Sequence, residues 1–73
     1  MAWLRIYGLS KQVTEDDVYH IIKDIAAPKR VLIARDRNQN NKCVGFAWID
    51  LPCKADADRL LAQFQSSDYV IRY

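Results

Sequence analysis

The sequence predicts an α+β domain in which two helices cover one face of a four-stranded antiparallel sheet. Two stretches place apolar residues at i, i+3, i+4 and i+7, which is the spacing of one helix face. Four other stretches are short and rich in β-branched or alternating apolar residues, which is typical of strands. Because each helix can bury only one face, we expect both helices on the same side of the sheet, in a two-layer sandwich.

The beginning of the chain predicts a strand followed by a helix. Apolar and mixed residues alternate from Trp3 to Tyr7, which is the periodicity of a strand. Thr14 is expected to cap the first helix, and the acidic residue three positions later, Asp17, completes a capping box. Pro28 is expected to end this helix. The apolar stripe of the helix consists of Val18, Ile21, Ile22 and Ile25.

The rest of the chain predicts the order strand, strand, helix, strand. The β-branched run at 30–35 predicts the second strand, and the polar, Asn-rich stretch 36–42 predicts a loop. Further strands are expected at 44–51 and 69–73, with a second helix over 54–65 between them. The order β-α-β-β-α-β with right-handed crossovers is that of the ferredoxin-like fold. The apolar stripe of the second helix consists of Ala57, Leu60, Leu61 and Phe64.

Composition limits the class of protein. Seventy-three residues suffice for one domain, which we expect to span 1–73 and to be part of a larger multidomain protein. A composition that is 51% hydrophobic and 27% charged excludes a disordered chain. No apolar run reaches the roughly 18 residues of a membrane span, and the first residues lack the pattern of a signal peptide. The formal net charge of +2 is compatible with an anionic partner but does not require one.

The sequence predicts neither a metal site nor a cofactor. Cys43 and Cys53 stand ten positions apart without a nearby His, and we interpret them as reduced thiols of an intracellular protein. A structural zinc site needs four ligands at set spacings, which two Cys and one His cannot supply within one chain. So small a core also leaves little room for the deep cavity of a cofactor-dependent enzyme.

Period-two alternation assigns the side chains of the first and third strands to the two faces of the sheet. The residues expected to face the helices are Leu4, Ile6, Ala47, Ile49 and Leu51. The residues expected on the opposite, open face are Arg5, Tyr7, Phe46, Trp48 and Asp50.

The second and fourth strands are assigned in the same way. In the second strand Val31 and Ile33 are expected inward, and Leu32 and Ala34 outward. The fourth strand has two possible registers. Burying Arg72 would be costly, so we favour the register that turns it to the open side. That register also turns Val70 outward, and it turns inward Tyr69, Ile71 and Tyr73.

The predicted open face combines aromatic rings in the middle with cations at the rim. A small soluble domain rarely leaves a cluster of large aromatic side chains in contact with water. Aromatic rings suit nucleobases, because every base has a π-face and stacking contributes roughly 1–3 kcal/mol per base. Arg5 can stack through its planar guanidinium or hold a phosphate. These features favour single-stranded nucleic acid as the ligand.

Two segments carry a resemblance to the RNA recognition motif family, and the resemblance covers the whole chain. Residues 44–51, Val-Gly-Phe-Ala-Trp-Ile-Asp-Leu, resemble the third-strand signature of that family: basic, Gly, aromatic, Gly or Ala, aromatic, aliphatic, any residue, aromatic. Residues 4–9 are similar to its first-strand signature. Val44 departs from the usual basic residue, Arg5 from the usual aromatic platform and Leu51 from the last aromatic.

The resemblance implies which residues contact RNA. Phe46 would lie near the sugar edge between two nucleotides, and Trp48 would lie under one base. Cations in and beside the loop between the second and third strands would guide the RNA backbone, with Lys42 substituting for the basic residue missing at position 44. The candidate RNA-binding residues are Arg5, Tyr7, Arg35, Arg37, Lys42, Phe46, Trp48 and Arg72.

The predicted function is a single-stranded RNA-binding module without catalytic activity. Two or three stacked bases would contribute roughly 3–6 kcal/mol, whereas a micromolar complex requires about 8 kcal/mol. We therefore expect the domain to bind weakly alone and to act with other domains. We expect a monomer in a ribonucleoprotein complex of pre-mRNA or mRNA processing, in the nucleus, the cytoplasm or both, without a membrane partner.

Two other functions are less well supported. RNA recognition motif-like domains that bind peptides use the helix face and an Arg-x-Phe-type loop, but the corresponding loop here, 65–68, has no Arg. A ferredoxin-like acylphosphatase needs an Arg in the phosphate-binding loop after the first strand, and residues 8–13 have none. A protein-interaction domain is therefore the alternative, and an enzyme is the weakest hypothesis.

Overall fold

The computed structural model describes residues 2–65 and 67–73; Ser66 of the predicted 65–68 loop and Met1 lie outside the described residues. The elements in chain order are β1 (Ala2–Tyr7), α1 (Glu15–Ile22), β2 (Arg30–Asp36), a short 3₁₀ helix (Arg37–Gln39), β3 (Lys42–Leu51), α2 (Lys54–Gln63) and β4 (Val70–Arg72). The sheet has the strand order β2-β3-β1-β4, and all of its neighbouring pairs are antiparallel. The predicted β-α-β-β-α-β sandwich is confirmed.

The hydrophobic core lies between the sheet and the two helices. Every side chain that alternation assigned inward on the first and third strands is fully buried there. The helices contribute the buried parts of both predicted apolar stripes, so they pack on the same face of the sheet. The largest buried side chains of this core are Leu4, Ile6, Val18, Ile22, Ile49, Leu51 and Leu60.

Helix α1 begins as predicted but ends earlier. The Thr14 hydroxyl accepts a hydrogen bond from the Asp17 backbone N–H at 3.1 Å, and the Asp17 carboxylate accepts one from the Thr14 N–H at 2.9 Å. This reciprocal pair is the predicted capping box. The helix stops at Ile22 rather than near Pro28, because the amides of Ile25 and Ala26 both turn back to the Ile22 carbonyl. That tight turn packs the side chains of Ile25 and Ala26 onto the core.

The segment predicted as a loop at 36–42 is more ordered than expected. Strand β2 continues to Asp36, whose carboxylate accepts a hydrogen bond from the Asn38 N–H at 2.9 Å and starts the 3₁₀ turn. Asn40 and Asn41 adopt left-handed conformations, with φ of 59° and 57°. Asparagine tolerates this region better than most residues. The chain therefore reverses within a compact connection and β3 begins at Lys42.

No helix in residues 2–65 and 67–73 is long and apolar enough to cross a membrane.

Candidate nucleic-acid interface

Three aromatic rings form a continuous group on the open face of the sheet. Tyr7 on β1 pairs directly with Phe46 on β3, and their rings stack with centroids 5.3 Å apart and an interplanar angle of 25°. Trp48 meets Phe46 edge to face, at 5.0 Å and 74°. Neither β3 ring belongs to the core, and Trp48 is exposed. The prediction that both rings leave the helix-covered side is confirmed.

The angle between the two β3 rings limits how a nucleotide can use them. Since the planes of Phe46 and Trp48 are nearly perpendicular, one flat base cannot stack on both. A base stacked on Trp48 meets Phe46 at an angle, as a sugar or a second base would. This geometry is compatible with the division of roles implied by the sequence resemblance.

Two guanidinium groups flank the Tyr7 ring on the β4 side. Arg5 and Arg72 lie directly opposite each other on the antiparallel strands β1 and β4. Their Cζ atoms are 6.0 Å and 5.8 Å from the centroid of the Tyr7 ring. Within residues 2–65 and 67–73 neither guanidinium forms an ion pair with an Asp or Glu side chain. Like charges in this arrangement repel each other, so an anion between them would stabilise the pair.

The residue after β4 holds Arg5 in place. Arg5 Nη2 donates a hydrogen bond to the Tyr73 backbone oxygen at 2.6 Å. Tyr73 was expected to face inward; its side chain does lie on the helix side, where its hydroxyl donates to Asp58 of α2 at 2.7 Å, but it is exposed instead of buried. The other inward assignments of this strand are confirmed, because Tyr69 and Ile71 pack against the core.

The contacts of Tyr73 also shift three pKa values. The hydrogen bond from Tyr73, followed by the one from Lys54, lowers the pKa of Asp58 below its ordinary value. The hydrogen bond to Asp58 raises the pKa of Lys54, whose Nζ lies 3.0 Å from the carboxylate, and it raises the pKa of Tyr73 as well. All three groups are on the surface, so water screens their interactions.

The structure separates the three cations that the sequence analysis grouped at the loop between β2 and β3, which are Arg35, Arg37 and Lys42. Arg35 is bound to the side of the protein that carries α1: Nη2 lies 3.1 Å from the Glu15 carboxylate, and Nη1 donates to the Asn41 carbonyl at 2.9 Å. Arg35 lies within β2, two residues after Ile33, and therefore shares its face of the sheet. Its cross-strand partner Cys43 is in the core. Arg35 therefore does not join the open face. Arg37 and Lys42 are exposed at the loop.

A register shift explains the burial of Ala34, which alternation placed on the open face. Ile33 pairs with Ala47 and Arg35 with Cys43, so one residue of β2 lies opposite the three residues 44–46 of β3. Gly45 permits this irregularity, since its φ of 111° is a conformation that other residues rarely adopt. Ala34 is buried but does not belong to the core between sheet and helices. Leu32 is exposed as predicted.

Asp50 was expected to point to the open face, and in that position it is buried by its neighbours. Its cross-strand neighbours are Trp3 on β1 and Arg30 on β2, and these large side chains leave it 2% exposed. Arg30 Nε lies 3.6 Å from Oδ2, and the Arg30 Cζ is 5.2 Å from the centroid of the Trp3 ring. Within residues 2–65 and 67–73, Oδ1 has no hydrogen-bond partner. Alternation applied to position 3 would have identified Trp3, because it shares the face of Arg5 and Tyr7.

In the described ranges 2–65 and 67–73, no group of three or more His, Cys, Asp or Glu side chains is placed to hold a metal ion. Cys43 is buried and Cys53 is exposed, and both are free thiols.

Comparison with known families and proteins is consistent with this geometry. The model of the RNA recognition motif matches residues 4–70. The G-2 subunit of eukaryotic translation initiation factor 3 from Drosophila mojavensis is 35% identical over 54 residues, which are 74% of this chain and 20% of that protein. The G-1 subunit of the same factor from Drosophila erecta is 36% identical over 56 residues, 77% of this chain and 20% of that protein. The matched segment thus spans about a fifth of these relatives.

Solved structures share the fold at low sequence identity. The penultimate RNA recognition motif of the hypothetical RNA-binding protein RBM19 has a TM-score of 0.83 at 20% identity, over 97% of this chain and 80% of that one. RNA recognition domains 1 and 2 of Sex-lethal from Drosophila melanogaster give 0.81 at 18%, over 97% and 48%. An Sxl-lethal protein/RNA complex gives 0.82 at 18%, over 97% and 45%.

Proposed function

The chain belongs to the RNA recognition motif family, and we propose that it binds single-stranded RNA on the open face of its sheet. The observation that carries this proposal is the juxtaposition of an aromatic group with two guanidinium groups that have no acidic side chain as partner. Aromatic rings offer stacking surfaces to bases, and guanidinium groups that no carboxylate side chain neutralises offer contacts to the phosphates that join those bases. A site made of both is chemically complementary to a nucleotide chain.

Each residue of the site has a defined role in this proposal. Trp48 stacks with one base, and Phe46 contacts the adjoining sugar, because its ring stands nearly perpendicular to that of Trp48. Arg5 and Arg72 hold a phosphate beside Tyr7, which relieves the repulsion between their charges. Arg37 and Lys42 contact the backbone where it leaves the sheet near the loop.

The expected affinity is low. Stacking contributes roughly 1–3 kcal/mol per base, so a few bases do not reach the about 8 kcal/mol of a micromolar complex once ordering costs are subtracted. We therefore propose that the domain acts with further RNA-binding modules of a larger protein. The length of the relatives, about five times the matched segment, supports this arrangement.

The relatives bear on the process in which the domain works. They are subunits of a translation initiation factor, which favours an intracellular assembly that binds mRNA during translation. This is a different setting from pre-mRNA processing, and the nuclear location stays a prediction. We propose a monomeric binding module rather than an enzyme, because the family is an RNA-binding one and the site offers stacking surfaces and cations.

The test is a titration of the ¹⁵N-labelled domain with randomised RNA heptamers, followed by ¹H–¹⁵N correlation spectra. We expect shifts on β1 and β3, and for the double variant Phe46→Ala, Trp48→Ala an affinity reduced roughly 30-fold or more, since one stacked base and the adjoining sugar both lose their aromatic contact. The dispersion of the spectrum shows whether the variant is folded.

The matched control is Tyr19→Ala, which removes an exposed aromatic ring from α1 on the other side of the molecule. It should bind heptamers like the wild type. Undiminished binding by a folded double variant, with the same sheet resonances shifted, would exclude the stacking surface as the binding site.

A further inference from the structure

A shallow apolar depression lies on the open face at the end of the sheet where β1 and β2 begin, and two of its three lining residues are not among those that the sequence resemblance assigns to RNA. It is lined by Trp3, Leu32 and Trp48, one from each of three neighbouring strands. These side chains are 36%, 46% and 38% exposed, so a large part of their apolar surface meets solvent. Leu32 and Trp48 are cross-strand partners, and Trp3 lies two residues before Arg5, the partner of Trp48 on β1. Exposed apolar groups in such an arrangement usually mark a binding surface.

The depression is continuous with the proposed RNA site through Trp48, which belongs to both. At this end of β1 the aromatic ring belongs to Trp3. The next outward residue is Arg5, which is bound to the Tyr73 backbone oxygen. The stacking surface of β1 on this side of Trp48 is therefore supplied by Trp3. A nucleotide chain that continues past Trp48 towards the end of the sheet where β1 and β2 begin meets Trp3 on one side and Leu32 on the other.

The surroundings of the depression favour a nucleobase over an apolar peptide side chain. Asp50 is the next outward residue of β3 after Trp48 and lies between its cross-strand partners Trp3 and Arg30, and among residues 2–65 and 67–73 its buried Oδ1 has no hydrogen-bond partner. A buried acceptor of this kind is costly until a donor reaches it. Every nucleobase that can donate an N–H brings both a flat π-face and a donor, whereas an aliphatic side chain brings neither. Arg30 covers this carboxylate, and its side chain is 59% exposed, so it has room to move to a phosphate.

We propose that the depression between Trp3, Leu32 and Trp48 holds one further nucleobase, which stacks on Trp3 and donates an N–H to Asp50 as Arg30 shifts to the RNA backbone. This inference rests on the proposed function and extends the same site. It adds one nucleotide to the bound length at the end of the sheet where β1 and β2 begin. It also gives the domain a polar contact that reads the edge of a base, in addition to stacking, which is tolerant of sequence.

The test uses the fact that Trp3 and Trp48 are the two tryptophans of the chain. In Trp48→Phe only Trp3 emits, and in Trp3→Phe only Trp48 emits, while each replacement keeps an aromatic ring. Both variants are titrated with randomised RNA heptamers. A stacked base quenches tryptophan emission, so we expect both signals to fall over the same range of RNA concentration.

Affinity supplies the second readout. Trp3→Ala should weaken heptamer binding at least about fivefold, which is roughly the 1 kcal/mol at the lower end of base stacking. If that variant does not fold, Leu32→Ala replaces it, with an expected loss of about threefold from reduced apolar contact with the base. Tyr19→Ala is the control for both and should bind like the wild type.

The outcomes separate the inference from the function on which it rests. Quenching of Trp48 without quenching of Trp3 would overturn the added subsite and leave the RNA platform standing. Quenching of Trp3 without any loss of affinity on its removal would also overturn it, because the base would be near but not held. Absence of quenching at both tryptophans would contradict the proposed function itself.

Discussion

The two faces of the sheet are built from similar kinds of residue, but their environments differ. On the helix-covered face the apolar side chains are fully buried against two amphipathic helices. On the open face Trp3, Leu32 and Trp48 are partly exposed, and they lie near cations and one buried carboxylate. An apolar side chain stabilises the fold in proportion to the area that it removes from water. The first face therefore stabilises the domain, and the second retains apolar surface that a ligand can cover.

The largest expected effect tests this contrast with one substitution made on each face. Leu60→Ala on α2 should lower the free energy of unfolding by roughly 2–5 kcal/mol, because it leaves a cavity in the core. Leu32→Ala on the open face should lower it by less than about 1 kcal/mol, because this side chain is already 46% exposed. Urea unfolding followed by circular dichroism measures both. Equal losses would mean that the open face contributes to stability like a core.

Most of this contrast could be predicted from the sequence. Alternation placed Leu4, Ile6 and Ile49 in the core and Phe46 and Trp48 outside it, because a strand turns successive side chains to opposite faces whatever its neighbours are. It did not predict how exposed an outward residue is. Asp50 faces outward and is nevertheless buried, since the side chains that cover it come from two other strands.

A smaller effect distinguishes the two faces by charge. Arg72→Ala removes a cation from the open face, and Arg59→Ala removes one from α2, where Arg59 pairs with Asp56. Both variants change the net charge by the same amount. Arg72→Ala should weaken binding of randomised RNA heptamers and reduce the slope of log affinity against log salt by about 0.7, the value for one phosphate of a single strand.

Fluorescence anisotropy at four salt concentrations measures this slope. Arg59→Ala should keep the slope of the wild type, because its charge lies on the covered side. If both variants changed the slope equally, binding would depend on net charge rather than on the open face.

The smallest expected effect concerns the contact between Tyr73 and α2. Its hydrogen bond lowers the pKa of Asp58 below the ordinary 3.8, so the ionised carboxylate is favoured in the folded state. The resulting stabilisation is present above pH 3.8 and is lost as the pH falls through the lowered, folded-state pKa. We expect Tyr73→Phe to move the pKa of Asp58 upward. The ¹³C shift of the Asp58 carboxyl group over an acid titration measures it, and Tyr69→Phe is the control.

An unchanged Asp58 titration in Tyr73→Phe would show that this hydrogen bond is not formed in solution.

The sequence by itself determined the order of the elements, the faces of the central strands and the family. These depend on local periodicity, on capping and on short signatures, all of which act over a few neighbouring residues. Only the tertiary structure decided that α1 ends at Ile22, that Arg35 is bound to Glu15 and that Trp3 meets Leu32 and Trp48. Those outcomes depend on which strands become neighbours and where their register shifts. Such contacts join residues far apart in the chain, and no local pattern encodes them.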